Sequence, residues 1–404
     1  MKKSLYFFCF IIFFLSTNLN ASTFFSGNAG GKLFFQANPE KTSFEPDLTL
    51  QAYFAGQFNF SKNIWGHLEF SINTGNLISS NIFHETDSKF QIDEISLTFN
   101  SNHLTKQNYF SVFAGTFDPI GSDVFLQRYF GIDSIASNLT QNWLGLGNSV
   151  IYPLFGMGLA DVMVFKNKPV ALGAYLYFDH ENFTNFIFNA DLRFACAFRY
   201  LTWDISCGLG IPVQQQNIVD YPDLIIAIDK LYWHAGTTFL VGNKNTQSLF
   251  IQAGVFNASF KGGTTGPIFD TDDFYILFEP RFKFKDTNVN FSVFNLPPDT
   301  VDEMMFVQTT LGFNLDINVA ITKTIKPLKI GINLSGGFVG QTIFNLSNID
   351  STFLSSMNFG ISPYFTKSIL SGDFHFMLSV NYMPLAQKDW YKMFGVDIGY
   401  KTSF

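Results

Sequence analysis

The chain is poor in charge. Only 14% of its 404 residues are Asp, Glu, Lys or Arg, and the formal net charge is −7. Soluble domains ordinarily carry about a quarter charged residues, so a conventional water-facing exterior is disfavoured. Cysteine is scarce too, with Cys9, Cys196 and Cys207 the three present. Long apolar runs are missing: beyond the N-terminus none approaches the roughly 18 residues that suggest a transmembrane helix. No basic patch relieves the acidic balance, which argues against nucleic-acid binding. What the chain has in excess is aromatic, 18% overall with 52 Phe. Biased codon usage can feed such a count, so the positions of these residues carry more weight than their number.

The N-terminus reads as a secretory signal. Lys2-Lys3 precede LYFFCFIIFFL, and a polar stretch then ends in Asn20-Ala21-Ser22, the order of regions that export requires. Cleavage is expected after Ala21, although Leu19 is bulkier than the usual residue two positions before it. Residues 1–21 are then the leader and 22–404 one unit, without a Pro/Gly-rich linker. Losing Lys2 and Lys3 takes the formal charge from −7 to −9. No lipoprotein cysteine follows the apolar core. GNAGGKLFFQA opens the first strand soon after the cleavage point, so any plug of the interior has to come from a loop.

Period-two alternation recurs along the mature chain. Leu48, Leu50, Ala52, Phe54, Phe58 and Phe60 alternate with Asp47, Thr49, Gln51, Tyr53, Gln57 and Asn59. Phe374, Phe376, Leu378 and Val380 alternate with His375, Met377, Ser379 and Asn381. A two-residue period means strands. In FNADLRFACAFRYLTWDISCGLG the phase changes at Arg199-Tyr200, which predicts a hairpin pairing Phe198 with Leu201, Cys196 with Trp203 and Leu192 with Cys207. That register separates the two sulfurs by about 13 Å at ~3.3 Å per residue, excluding a disulfide between them. Asp93-Glu94 breaks the alternation and predicts a bulge. LIIAI, within 222–230, reads equally as strand or loop.

Connections alternate in length. Short, polar, mostly Lys-bearing ones fall at 61–63, 101–108, 166–169, 199–200, 242–247, 285–288, 322–327 and 366–373. Longer ones fall at 38–46, 75–89, 118–156, 179–184, 211–230, 258–272, 296–304, 341–355 and 384–392. Strands between them number about 18, with 16 the alternative count. Short turns at one rim and long loops at the other are how outer-membrane barrels are organised. The expected fold is therefore all-β, a transmembrane antiparallel β-barrel with short periplasmic turns and long extracellular loops.

The end of the chain, KMFGVDIGYKTSF, puts Phe394, Val396, Ile398, Tyr400 and Phe404 on one face. This resembles the C-terminal assembly signal of bacterial outer-membrane β-barrel proteins, porin-like ones included, although Thr402 departs from its apolar pattern. The resemblance implies the barrel-assembly machinery and outer-membrane lipid as partners, and the outer membrane of a diderm bacterium as location.

Barrels of 16 to 18 strands leave an aqueous channel. The inward phase carries Glu69, Asp191, Arg193, Asp204, Glu279, Arg281, Lys283, Asp316, Lys329 and Asp397 as expected pore-lining residues, a mixture suited to passive diffusion of small hydrophilic solutes. Solvation by lumenal water is the plain alternative for any one of them. Residues 118–156, the third and longest long-rim connection, hold too much Phe, Leu, Ile and Trp to extend into water. They are expected to fold inward as a constriction presenting Asp118, Asp123, Arg128 and Asp133 to solute. The bland alternative packs this loop over the rim or against a neighbouring protomer of a homo-oligomer.

Other readings start from other residues. Inward Tyr53, Trp65, Tyr175, Tyr177 and Tyr275 would suit stacking on saccharides; the apolar loop would suit hydrophobic compounds; the long loops would suit an adhesin or structural barrel. Enzyme chemistry has little to stand on. His67, Ser71, His234 and His375 are scattered, G-x-S-x-G and HExxH are absent, and neither a metal nor a nucleotide cofactor motif is present.

Overall fold

The computed structural model describes residues 25–38, 43–78, 89–140, 151–152, 154–182, 185–218, 221–226, 230–261, 273–298, 301, 309–321, 327–347, 349, 351–382 and 389–404. The expected leader and its cleavage point at Ala21 lie outside them. The strands are β1 (Phe25–Ala37), β2 (Pro46–Ser61), β3 (Ile64–Asn73), β4 (Lys89–Asn102), β5 (Lys106–Thr116), β6 (Phe155–Phe165), β7 (Val170–Asn182), β8 (Asn185–Phe198), β9 (Leu201–Ile218) and β10 (Tyr221–Ile226). They continue with β11 (Lys230–Asn243), β12 (Gln247–Lys261), β13 (Phe274–Phe284), β14 (Thr287–Asn295), β15 (Leu311–Ile321), β16 (Leu328–Phe338), β17 (Met357–Ile369), β18 (Gly372–Asn381) and β19 (Phe394–Ser403).

Each wall strand pairs antiparallel with its neighbours, and β1 pairs with both β2 and β19, so the sheet closes. β10 stands apart from the wall. It pairs with the end of β9, from Tyr221↔Ile218 to Ile226↔Val213, while β9 meets β11 through its earlier half, Leu201 to Gly210. Removing β10 from nineteen strands leaves an eighteen-strand barrel. Leu224, Ile225 and Ile226 of LIIAI belong to a strand, but one added to an overlong β9 rather than to the wall, while Ala227 and Ile228 lie outside the described residues. The connection expected as a longer one at 179–184 is tight, because β7 runs through Asn182 and β8 starts at Asn185.

Registers follow the side-chain pattern because one slip would turn every apolar residue inward. Phe198↔Leu201, Cys196↔Trp203 and Leu192↔Cys207 pair as the sequence predicts, and both cysteines are free. At the β3–β4 ladder Glu69 pairs with Glu94 and Phe70 with Ile92, leaving Asp93 as the extra residue of a bulge.

The two faces differ sharply: Leu192 is 66% exposed on the outside, while Asp191 beside it is 2% exposed inside. Leu176, Phe178, Leu209, Phe278, Ile330 and Ile398 are among the apolar side chains exposed on the outer face. A belt of this extent is far beyond what a soluble monomer exposes. Asp161 also stands on it, opposite Phe110 and Ala174 in the ladder and in phase with Met157 and Leu159.

At the closing seam Gly27 and Phe404 exchange backbone hydrogen bonds, each 2.9 Å. The Phe404 ring lies 5.4 Å from Phe25 and 5.9 Å from Phe54, and the row continues through Phe70 to Phe90. Glycine is needed beside it, since a Cβ on Gly27 would sit 2.9 Å from the Phe404 ring and 2.5 Å from the Ala55 carbonyl oxygen.

Candidate functional site

The connection between β5 and β6 decides the interior. Its described part, residues 117–140, 151, 152 and 154, folds into the barrel. Helix α1 (Val124–Phe130) ends at Gly131, whose left-handed backbone lets its N–H cap the Gln127 carbonyl. Phe117, Ile120, Phe125, Leu126, Ile135 and Leu139 are buried in one apolar cluster with Ala160, Val162, Tyr175, Tyr177, Leu240, Phe250, Tyr275 and Leu277 of the wall. Apolar residues this loop could not expose to water are thus buried inside the barrel. The wall responds in kind: on β6 the inward residues are Ala160 and Val162, small and apolar where a water-filled lumen would call for polar ones.

Polar anchors fix the loop. Arg128 Nη2 donates to both carboxylate oxygens of Glu94, at 3.0 and 2.8 Å, and Nη1 to Asp118 Oδ1 at 2.8 Å. Burial opposes the Arg128 charge, but Glu94 and Asp118 outweigh it and hold the guanidinium above its ordinary pKa. Asp118 also accepts from Tyr175 OH at 3.0 Å, and its carbonyl from Arg193 Nη1 at 2.6 Å. Its backbone is left-handed, with φ 44°, a strained setting that these bonds over-determine.

Asp123 reaches forward along the chain. It accepts from Ser134 Oγ and from the backbone N–H of Ile135 and Ala136, all within 2.6 Å. Burial raises its carboxyl above the ordinary range in spite of these donors. Beyond this turn the loop reaches β13 and β15. Ser137 donates to Glu279, Asn138 Nδ2 to Asp316 Oδ2 at 2.9 Å, and Arg281 Nη1 to the Ile135 carbonyl at 2.8 Å. At its return, Tyr152 stacks on His234 at 3.7 Å between centroids.

These contacts revise the assignment of the pore-lining residues. Asp191, Arg193, Asp204 and Glu279 face inward, but the loop covers them. Arg193 pairs with Asp204 through two bonds of 2.9 and 2.5 Å beneath the Phe125 ring, and Asp191 accepts from Tyr177 while meeting His234 at 2.8 Å. Asp316 and Asp397 are also buried: Asp316 accepts from Tyr364 OH and two amides, and Asp397 pairs with Lys32 at 3.3 Å. Glu69, Arg281 and Lys329 are part-exposed inside, and Lys283 is exposed.

The expected constriction charges are corrected likewise. Asp118, Asp123 and Arg128 are loop anchors, the two carboxylates buried and the guanidinium part-exposed; Asp133 alone of the four is exposed. Residues 141–150 and 153 of the expected constriction lie outside the described residues. Of the aromatic residues expected to suit saccharides, Tyr53, Tyr175, Tyr177 and Tyr275 are buried and Trp65 is part-exposed. Sequence reading missed Glu94 as an anchor. The irregularity at Asp93-Glu94 was its signal, because a bulge turns two successive carboxyl-bearing residues inward.

Among the described residues His67, Glu69 and Glu94 bring ligand atoms within 4.8 Å of one another. Both Glu94 oxygens are held by Arg128, so the cluster is explained by the loop anchor.

No protein-family model matches the sequence, and no curated protein does. Solved structures with a similar chain path include Acinetobacter baumannii OccAB3 (TM-score 0.49, 9% identity, 94% of this chain and 98% of that one), Pseudomonas aeruginosa OpdL (0.47, 10%, 94% and 98%) and Pseudomonas putida OprB (0.42, 11%, 94% of each). The barrel architecture rests on the closed strand ladder itself: eighteen strands, apolar without and polar within, is the build of an outer-membrane barrel of porin type.

Proposed function

We propose that the chain is an outer-membrane channel through which small hydrophilic solutes diffuse passively. One observation carries the reading: an eighteen-strand wall is wide enough for water, and the described part of the lumenal loop packs its apolar core on one side of it. Members of that core come from β5–β8 and β11–β14 and the adjoining loops, and none from β1–β4 or β15–β19. Those remaining strands turn Gln51, His67, Glu69, Lys32, Lys329 and Lys401 inward. The leader expected from the sequence and the apolar outer belt support a place in the outer membrane of a diderm bacterium, reached through the barrel-assembly machinery. In this reading the protein is a passage and not an enzyme, and self-association would occur through the apolar belt.

Planar bilayers test it. Purified protein is expected to give stepwise conductance, and proteoliposomes to swell in small sugars. A folded barrel that inserts without conductance would favour action through the surface loops instead.

A further inference from the structure

Where the loop meets β11–β16, a recess of about 230 Å3 opens among residues at the short-connection ends of their strands. Lys244 lies in the β11–β12 turn, Lys283 and Asn288 flank the β13–β14 turn, and Lys329 is the second residue of β16. Together with Arg281 these put four cations around one small space with no carboxylate in its lining among the described residues.

Neighbouring acids are already engaged. Glu279 accepts from Arg281, Ser137 and Ser292; Asp316 from Asn138, Asn318 and Tyr364; Asp123 from the loop's own turn. Asp133 and Asp123 act on Lys244 from outside the lining, while burial and Arg281 lower its pKa.

Arg281 is the organised element. Its Nε is held by Glu279 at 2.7 Å, its Nη1 by the Ile135 carbonyl at 2.8 Å, and its plane lies 4.4 Å from the Phe250 ring centroid. Nη2 is buried and has no hydrogen-bond partner among the described residues. A guanidinium held on three sides is a fixed positive charge beside the recess, and charge-assisted bonds to oxyanions are the strong ones. Amides of Asn288, Asn290 and Asn318 add neutral polar groups to the lining.

We infer that this recess binds small multivalent oxyanions, carboxylate or phosphate, between the loop and the wall. The inference rests on the channel reading for the ligand's route, and bound anion would raise the local concentration of such solutes beside the loop.

Calorimetric titration of the detergent-solubilised protein with citrate, and separately with inorganic phosphate, tests it at low salt. The same titrations are made on Lys283→Gln/Lys329→Gln, with heat-modifiable gel mobility checking that the variant barrel is folded. Binding is expected in the parent protein and to weaken about tenfold or more in the variant. Response to citrate alone assigns the site to organic carboxylates, and response to phosphate alone to phosphates. No binding of either by the folded parent, or equal affinity in the folded variant, overturns the inference. Binding without conductance in bilayers would retain the site and remove the channel reading; conductance without binding would do the reverse.

Discussion

Arg128 holds Glu94 through both carboxylate oxygens, at 3.0 and 2.8 Å, joining the lumenal loop to the β4 bulge. Removing Arg128 leaves the buried Glu94 and Asp118 carboxylates without their shared cation, a loss of about 3–5 kcal/mol for such pairs, whereas removing Glu94 leaves Arg128 paired with Asp118 and costs less. Glu94→Ala and Arg128→Ala are each expected to loosen the loop, lower its protease resistance and broaden single-channel current noise. Noise and cleavage like those of the parent would show that the pair is dispensable.

Asp123 makes a different case. It is 6% exposed and serves three donors, so Asp123→Asn keeps one acceptor oxygen and introduces donors of its own. The expected cost is about 1–3 kcal/mol of local stability, read by hydrogen exchange at Ile135 and Ala136. Ion selectivity should change little, because this carboxylate does not border the open lumen. A large selectivity shift with unchanged exchange would reverse that assignment.

Replacing 120–150 by a short Gly/Ser link is expected to increase conductance severalfold, since it removes the α1 layer from the interior. Because Arg193 and Asp204 pair with each other, the exposed wall retains a matched ion pair. Equal conductance from a folded deletion would mean that the loop lies off the conducting path.

Strand pairing was legible in the sequence because alternation has a period of two and lipid tolerates few errors in it. The Cys196/Cys207 register and the Asp93 bulge could be read from that pattern alone. Asp191, Arg193 and Asp204 were correctly turned inward by the same logic. Whether they meet water or protein depends on contacts with residues more than fifty positions away, such as Asp118 and Phe125, and no local pattern encodes those. The loop's own Phe, Leu, Ile and Trp content pointed it inward, and the apolar inward residues Ala160 and Val162 are the matching trace on the wall.

The seam yields another expectation. Deleting Phe404 removes its ring from Phe25 and Phe54 and both backbone bonds to Gly27. Gly27→Val should disturb the same place by pressing on the Ala55 carbonyl and the Phe404 ring. Both changes are expected to slow the appearance of the compact, heat-modifiable band during refolding. Parental kinetics in both would separate the aromatic row from closure.

Asp161 gives a stabilising substitution. A carboxylate among outward Met157 and Leu159 is costly in hydrocarbon, by less than the about 2–4 kcal/mol of a midplane lysine. Asp161→Leu is expected to raise the thermal unfolding midpoint in lipid by a few degrees. A lowered midpoint would indicate that the carboxylate is satisfied by another molecule in the membrane.

The one-sided apolar core of the loop, among the described residues, would make the proposed passage eccentric. In the channel reading, a solute would travel in a crescent between the loop and the arc of β16–β19 and β1–β3, away from the barrel axis. Breadth and thickness of a molecule then cease to be equivalent: a flat or elongated solute can align its long cross-section with the crescent, while a compact one of equal volume meets its narrow dimension whichever way it turns. Permeation should therefore rank solutes by minimum thickness better than by mass.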